Sequence, residues 1–331
     1  MMEWLRAFSI KAAYLSGVSR LVANPIDSLT TLLFHRFLPG EVSRDHSRDR
    51  LKRQCDWLRQ KYTPLTLTQV IEALRRGHFP KRSLLLTSDD ASADLLEVID
   101  IFDMFKLPIA VFVCAGWSTR ASRPEDDTLL ARTVTALEWH CGPEKRLRLN
   151  DNLEINLQRS SRNETIDAIL ANYDEWRPYL DYVVRAVDAN AMKPRERPCC
   201  TWEELAGLQS RGVQIGCHSV SHIKLASASD MRMRFEVHES NRILTTKFGA
   251  CEAFAYPYGT LDSYNTSTSM LLKEAGFSVA FLTRSDFATS YEDVYHLPRI
   301  TIPDRPLSFL EFCARVGGGG VAFSRLKRLI A

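Results

Sequence analysis

Short apolar runs alternate with amphipathic, capped segments along most of this 331-residue chain, and that alternation limits the fold more than any other feature. TTLLFHRF (30–37), SLLLTS (83–88), IAVFVCAG (109–116), VQIGCH (213–218), SVAFLT (278–283) and LPRITIP (297–303) read as strands, several of them apolar enough to be buried on both faces. The segments between them carry helix signals. Thr66 with Gln69 and Thr201 with Glu204 have the spacing of capping boxes, and Gly77 and Gly249 sit where helices should stop. Ala93 to Lys106 reads as one amphipathic helix. Strands alternating with helices imply an α/β fold with a parallel sheet. About seven such repeats and no Gly-x-Gly-x-x-Gly turn favour a distorted (β/α) barrel over a dinucleotide-binding sheet.

The rhythm stalls between residues 118 and 198, a charged, irregular stretch that reads as a largely helical insertion with a small hairpin at LRLNDNLEINL. The expected organisation is an N-terminal amphipathic helix over 1–28, the barrel over 29–316 with that insertion, and a flexible basic tail over 317–331 that begins with four glycines. The N-terminal helix has two readings: packing on the domain, or resting on a membrane surface. Apolar content of 45%, charged content of 25% and a net charge of +3 describe a soluble globular chain with no nucleic-acid-binding surface. The eight cysteines include no Cys-x-x-Cys pair and read as reduced thiols, which favours the cytoplasm. No secretory signal or membrane-spanning run is evident.

In a barrel of this kind the chemistry lies where strands end. Three strand ends carry residues suited to it: Asp89 and Asp90 after LLLTS, His218 and His222 in HSVSH, and the turn Pro257-Tyr258-Gly259 in FAYPYG. Taken singly, these are a solvated turn, a weak histidine pair and an ordinary turn. Together they suggest a metal centre. Histidines four apart can face one ion if their segment makes a helical turn. Imidazoles and a carboxylate suit Zn²⁺, and a divalent ion would compensate two adjacent carboxylates. One aspartate would bind the metal and the other would take a proton from water.

TSDDAS, HSVSH and YPYG resemble the first three motifs of the polysaccharide deacetylases, carbohydrate esterase family four, in the bacterial branch with an FAYPYG turn. FHRF, WLRQKYTPLTLTQVIEAL, FKLPIAVFVCAG, TWEELAGLQSRGVQIGCHSVSH and YHLPRI follow in the order of that family, so the likeness spans roughly 32–303. The resemblance implies that Asp89 is the catalytic base, that Asp90, His218 and His222 hold the metal, and that the Tyr258 N–H faces the oxyanion. Pro257, Tyr258 and Arg299 are grouped with the substrate side of the site.

The chain also departs from the pattern. Ser88 stands for Phe, and Ala91 stands for Gly, which is tolerable only if position 91 needs no positive φ. Ala255 occupies the place of the usual arginine partner of the base, and Arg299 is the candidate to replace it. The fourth and fifth motifs have no match, which leaves His296 and His35 as candidates for the general acid. His140 and His238 read as surface residues.

The implied activity is metal-dependent removal of N-acetyl groups from an amino sugar in a glycan, glycolipid or activated-sugar precursor, with Zn²⁺ the expected ion. The expected setting is cell-surface polysaccharide biosynthesis in the cytoplasm, with peripheral contact at the inner membrane face. The alternatives are a deformylase or other C–N amide hydrolase on the same fold, and an inactive glycan-binding member.

Overall fold

The computed structural model describes residues 2–16, 28–38, 43–121, 128–138, 146–148, 154–156, 158, 162–189, 199–322 and 325. Helix α1 (Met2–Leu15) precedes strand β1 (Ser28–Phe34). Helix α2 (Arg44–Lys61), the two-residue β2 (Thr63–Pro64) and α3 (Leu67–Arg76) lead to β3 (Ser83–Ser88). A 3₁₀ turn (Ala93–Glu97) and α4 (Ile99–Met104) lead to β4 (Ile109–Val113). The next elements are α5 (Ala115–Ala121), α6 (Leu129–Glu138), the antiparallel pair β5 (Arg146–Arg148) and β6 (Glu154–Asn156), α7 (Arg162–Ala171), α8 (Tyr173–Trp176) and α9 (Leu180–Ala189). Then come α10 (Trp202–Ser210), β7 (Gln214–Cys217), α11 (Asp230–Phe248), β8 (Ala253–Ala255) and α12 (Thr266–Glu274). Strands β9 (Val279–Phe281), β10 (Ala288–Thr289) and β11 (Ile300–Thr301) and helix α13 (Phe309–Ala314) follow.

The main sheet runs β10-β1-β3-β4-β7-β8-β9, with β2 joined to β3 and β11 joined to β1. Only the β1–β10 pair is antiparallel among these described strands. The segment from Leu297 to Ile302 curls the sheet toward closure because it bonds to both edges. Leu297 N–H reaches Ala280 O on β9 at 2.9 Å, and Ile302 N–H reaches Leu33 O on β1 at 2.8 Å. The result is a distorted (β/α) barrel.

The period of two along a strand divides the core into two layers. Leu29, Leu85, Ala110, Phe112, Ala255 and Phe281 share one apolar cluster inside the curled sheet. Their neighbours Leu32, Leu84, Leu86, Val111, Val113 and Phe254 point the other way, to the helices. Each leucine, valine or phenylalanine among them contributes roughly 1.5–3 kcal/mol by leaving water. Gly216 serves the inner layer: a Cβ there would lie 2.5 Å from the Phe112 ring. Helix α3 closes one end with Leu67, Val70 and Ile71. Its Thr66–Gln69 capping box and left-handed Gly77 (φ 74°) are as expected. The insertion has its own apolar cluster, with Val134, Leu137, Ile166, Leu180 and Val183 from α6, α7 and α9 and Leu147 and Ile155 from the hairpin.

Three expectations need correcting. β1 stops at Phe34 rather than Phe37, because Asp94 Oδ2 takes the Phe37 and Leu38 N–H groups at 2.8 and 3.0 Å and draws the backbone off the ladder. The stretch from Ala93 is not one helix: Val98, at φ −129°, separates the 3₁₀ turn from α4. Gly317–Gly320 are no flexible join. They lie at a kink between two helical stretches, with Gly318 left-handed at φ 94°, and pack against α1, where a Cβ on Gly317 would be 2.7 Å from the Tyr14 ring and one on Gly319 2.6 Å from Ile10 O. Small residues here let two backbones meet. Helix α1 is thus docked on the domain with Ile10 buried, while Phe8 and Leu15 are exposed. No described helix is long and apolar enough to cross a membrane.

Candidate active site

The parity that sends Leu85 into the barrel also sends Asp89 there, one residue beyond β3. Its carboxylate is 2% exposed and meets the guanidinium of Arg299 in a two-point fork, with Oδ1–Nη1 and Oδ2–Nη2 both 2.7 Å. Arg299 sits on the closing segment, fully buried against the adjoining Phe112 and Phe281 rings. Its Nε donates to Leu282 O at 2.9 Å. Burial alone would raise the Asp89 carboxyl, but Arg299 and His218 outweigh it and hold the group at about 2. Asp89 is therefore an ionised, aimed acceptor near neutral pH. Arg299 is the partner that Ala255 cannot be. It does not face substrate, so its grouping with the substrate side is corrected: it is enclosed in the core.

Asp90, His218 and His222 offer three ligand atoms that lie within 4.8 Å of one another. Asp90 Oδ1 is 3.7 Å from His218 Nε2 and 3.6 Å from His222 Nε2. These gaps are too long for hydrogen bonds. They are close to the ~3.3–3.5 Å that ligands to one tetrahedral Zn²⁺ require. His218 Nδ1 is paired with Ala255 O at 2.7 Å, which leaves Nε2 as the lone-pair nitrogen. Asp90 Oδ1 and His222 Nδ1 are buried without a hydrogen-bond partner among the described residues. Burial pushes His218 down, and pushes His222 down to about 4, so both rings are neutral and ligand-competent near pH 7. Burial, with Asp89 beside it, pushes the Asp90 carboxyl up against the pull of His218. An orphaned acceptor between two neutral imidazoles is a donor set that fits a divalent cation.

The histidine loop is not the helical turn expected from the spacing. Ser219 and His222 have φ of 66° and 60°, and Asp90 has 66°. A left-handed non-glycine residue costs of order 1–2 kcal/mol and persists only where its surroundings hold it. Ala91 is also left-handed, at φ 49°, so the condition under which alanine seemed tolerable is not met. Instead the position is pinned: Cys200 N–H donates to Ala91 O at 2.8 Å, and Ser92 bridges Cys199.

The third strand end supplies the rim. Tyr258 has φ 64°, is 45% exposed and lies 4.8 Å from the His222 ring, centroid to centroid. Its N–H has no protein acceptor among the described residues. Gly259 is required there, since φ is 61° and a Cβ would meet Thr283 N at 2.6 Å. Pro257 is buried, so its part is to shape this turn rather than to touch substrate. Trp117, on α5 just past β4, stacks on the other side of the site at 5.1 Å from His222. Sequence reasoning missed it, although the rule of strand ends reaches that position. It also missed Arg232 and Glu236 on α11, visible in sequence only as charges four apart on a helix face shared with Met233, Val237, Ser240 and Leu244.

The two acid candidates separate. His35, half-buried one residue past β1, is near enough for its charge to bear on Asp89, Asp90 and His222. His296 is held elsewhere: Nδ1 pairs with Asp293 at 2.8 Å, Nε2 with Ser269 at 3.0 Å, and the ring packs on Tyr264. With both nitrogens engaged away from the cluster, His296 is not placed to act as the acid. His238 is exposed on α11, and His140 lies outside the described residues.

Comparisons with known proteins bear on the fold and the family. The Polysaccharide deacetylase family model matches residues 76–280. Among solved structures, Streptococcus pyogenes deacetylase PplD in complex with acetate is 16% identical, with 84% of this chain and 93% of that one covered and a TM-score of 0.53. IcaB from Ammonifex degensii is 18% identical over 88% and 97%, also at 0.53. The BpsB deacetylase domain from Bordetella bronchiseptica is 16% identical over 84% and 98%, at 0.51. A search of curated proteins gave no match. These structures share the fold, and the family match runs from the end of α3 into β9, across Asp89, Asp90, the histidine loop and the Tyr258 turn. The chain belongs to the polysaccharide deacetylase family.

Proposed function

We propose that the chain is a metal-dependent carbohydrate N-deacetylase that hydrolyses the acetamide of an amino sugar in a glycan, glycolipid or activated-sugar precursor. The observation that carries this reading is the pairing of an arginine-held carboxylate, Asp89, with the Asp90–His218–His222 cluster beside it. A divalent ion held by that cluster, Zn²⁺ by the chemistry of the donors, would polarise the acetyl carbonyl and acidify the attacking water.

The chain's own residues do the rest. Asp89 accepts the proton of water as oxygen adds to the acetyl carbon. Arg299 keeps that carboxylate ionised and aimed. The Tyr258 N–H faces the developing oxyanion, a donor worth roughly 3 kcal/mol in such a role. His35 gives a proton to the sugar nitrogen as the C–N bond breaks, so free amine and acetate leave together. Trp117 and Tyr258 flank the His222 ring and limit water around it.

The reaction suits modification of a saccharide during cell-surface polysaccharide assembly. The exposed Phe8 and Leu15 of α1 would suit contact with the inner membrane face. The test measures acetate and formate release from a panel of N-acylated sugars and glycolipids, alongside metal content. About one ion per chain, retained in Asp89→Asn and lost in His222→Ala, with acetate released only by the wild type, is the expected result. Formate release would move the reading to a deformylase. No release and no bound metal would mark an inactive member. Full recovery in a membrane-free fraction at low salt would remove the membrane part.

A further inference from the structure

We propose that Glu236, together with Arg232, is a positioning residue for the metal ligands, locking the loop that carries His218 and His222; this rests on the reading of those residues as a metal site. Glu236 lies on α11 with no solvent exposure. A carboxylate there is costly, and an apolar residue of similar size would usually serve a helix better. Its contacts show what it holds. Oε2 accepts the Val220 and Ser221 N–H groups at 2.9 and 2.8 Å. Oε1 accepts the Ser221 hydroxyl and Arg232 Nε, the latter at 2.9 Å. Arg232 Nη2 donates in turn to Ser221 Oγ at 2.7 Å and lies 3.4 Å from Glu138 Oε2, at the end of α6 in the insertion.

The two amides held by Glu236 lie between the two histidines. The other polar groups of the loop are tied elsewhere. His218 N–H donates to Val113 O at 2.9 Å, Ser219 O accepts Ala115 N–H at 3.0 Å, and Val220 O accepts Gly116 N–H at 2.9 Å. His222 N–H donates to Ser219 Oγ at 3.0 Å. Without Glu236 the Val220 and Ser221 N–H groups would be buried and unpaired in the middle of a loop with left-handed residues at Ser219 and His222. The loop would then move to satisfy them, and the two imidazoles would no longer converge. Through Arg232 and Glu138 the insertion shares in the same clamp.

The experiment compares Glu236→Gln, Glu236→Gln/Arg232→Met and Ser221→Ala with the wild type in the full chain. Affinity for Zn²⁺ is read by chelator competition, the ligand field by the visible spectrum of bound Co²⁺, and the Val220 and Ser221 amides of the metal-free protein by hydrogen exchange. The expected result for both Glu236 variants is a tenfold to hundredfold loss of Zn²⁺ affinity, the scale seen when groups that orient metal ligands are removed. An altered Co²⁺ spectrum and faster exchange at those two amides should accompany it, with slow exchange retained in α11. Ser221→Ala, which removes only the hydroxyl, should lose about threefold and covers the case in which the Glu236 variants fail to fold. Folded variants that bind Zn²⁺ within twofold of wild type, or that merely melt earlier at unchanged affinity, would overturn the proposal alone. A wild type that binds no ion would instead remove the metal site, and the clamp with it.

Discussion

The two adjacent aspartates share a backbone turn yet hold opposite protonation tendencies, and the neighbours of each decide which. Asp89 has a guanidinium on both oxygens; Asp90 has none, and burial pushes its carboxyl up. The Asp89–Arg299 fork should therefore behave as a unit. Arg299→Met and Asp89→Leu are each expected to destabilise the fold by about 3–5 kcal/mol, because each strands a buried charge. The double variant should cost less than the sum by about 2 kcal/mol or more, as read from urea unfolding. Additive losses would mean the pair is not coupled. Arg299→Lys should rescue poorly, since one ammonium cannot make the planar two-point contact.

Among the elements, the segment after β4 and the helix α11 matter most for the site, since both grip the histidine loop. Gly116 shows how little room remains between α6 and the histidine loop: a Cβ would fall 1.8 Å from Thr135 Oγ1 of α6 and 2.7 Å from Val220 O. Gly116→Ala should lower stability by roughly 1–3 kcal/mol through overpacking and weaken Zn²⁺ binding by displacing the loop. Gly207, exposed within α10 with no atom within 4 Å of an added Cβ, is the contrast. Gly207→Ala should raise stability by about 0.5–1 kcal/mol and leave metal affinity unchanged, through backbone entropy alone. Equal effects of the two substitutions in thermal melts would contradict this account.

At the scale of the whole molecule, the candidate site draws on the end of β3, on the loop after β7 and, through Arg299 against Asp89 and Tyr258 against His222, on the closing segment and the turn after β8. An ion bound there links distant parts of the chain and stabilises only the folded state. Removing metal with a chelator should lower the melting temperature. Restoring Zn²⁺ to about a hundred times its dissociation constant should return about 2.7 kcal/mol, or several degrees. A melting curve indifferent to both steps would argue against a site assembled from these parts.

The alternation of strand and helix, the capping boxes at Thr66 and Thr201, and the placement of Asp90, His218, His222 and Tyr258 at the ends of β3, β7 and β8 were all open to sequence reasoning. Each rests on local periodicity or on residue types a few positions apart. What only the tertiary structure decided lies at long separation or in backbone angle. Arg299 meets Asp89 across 210 positions, a contact that no local pattern encodes. The left-handed angles of Asp90, Ala91 and His222 depend on surrounding hydrogen bonds rather than on their own side chains, so a spacing that suggested a helical turn became a strained loop. His35 and His296 looked alike as strand-flanking histidines until packing gave His296 to Ser269 and Asp293. The four glycines near the C-terminus read as slack because glycine favours an unfolded chain, but at Gly317 and Gly319 the lack of a side chain is what allows close packing against α1.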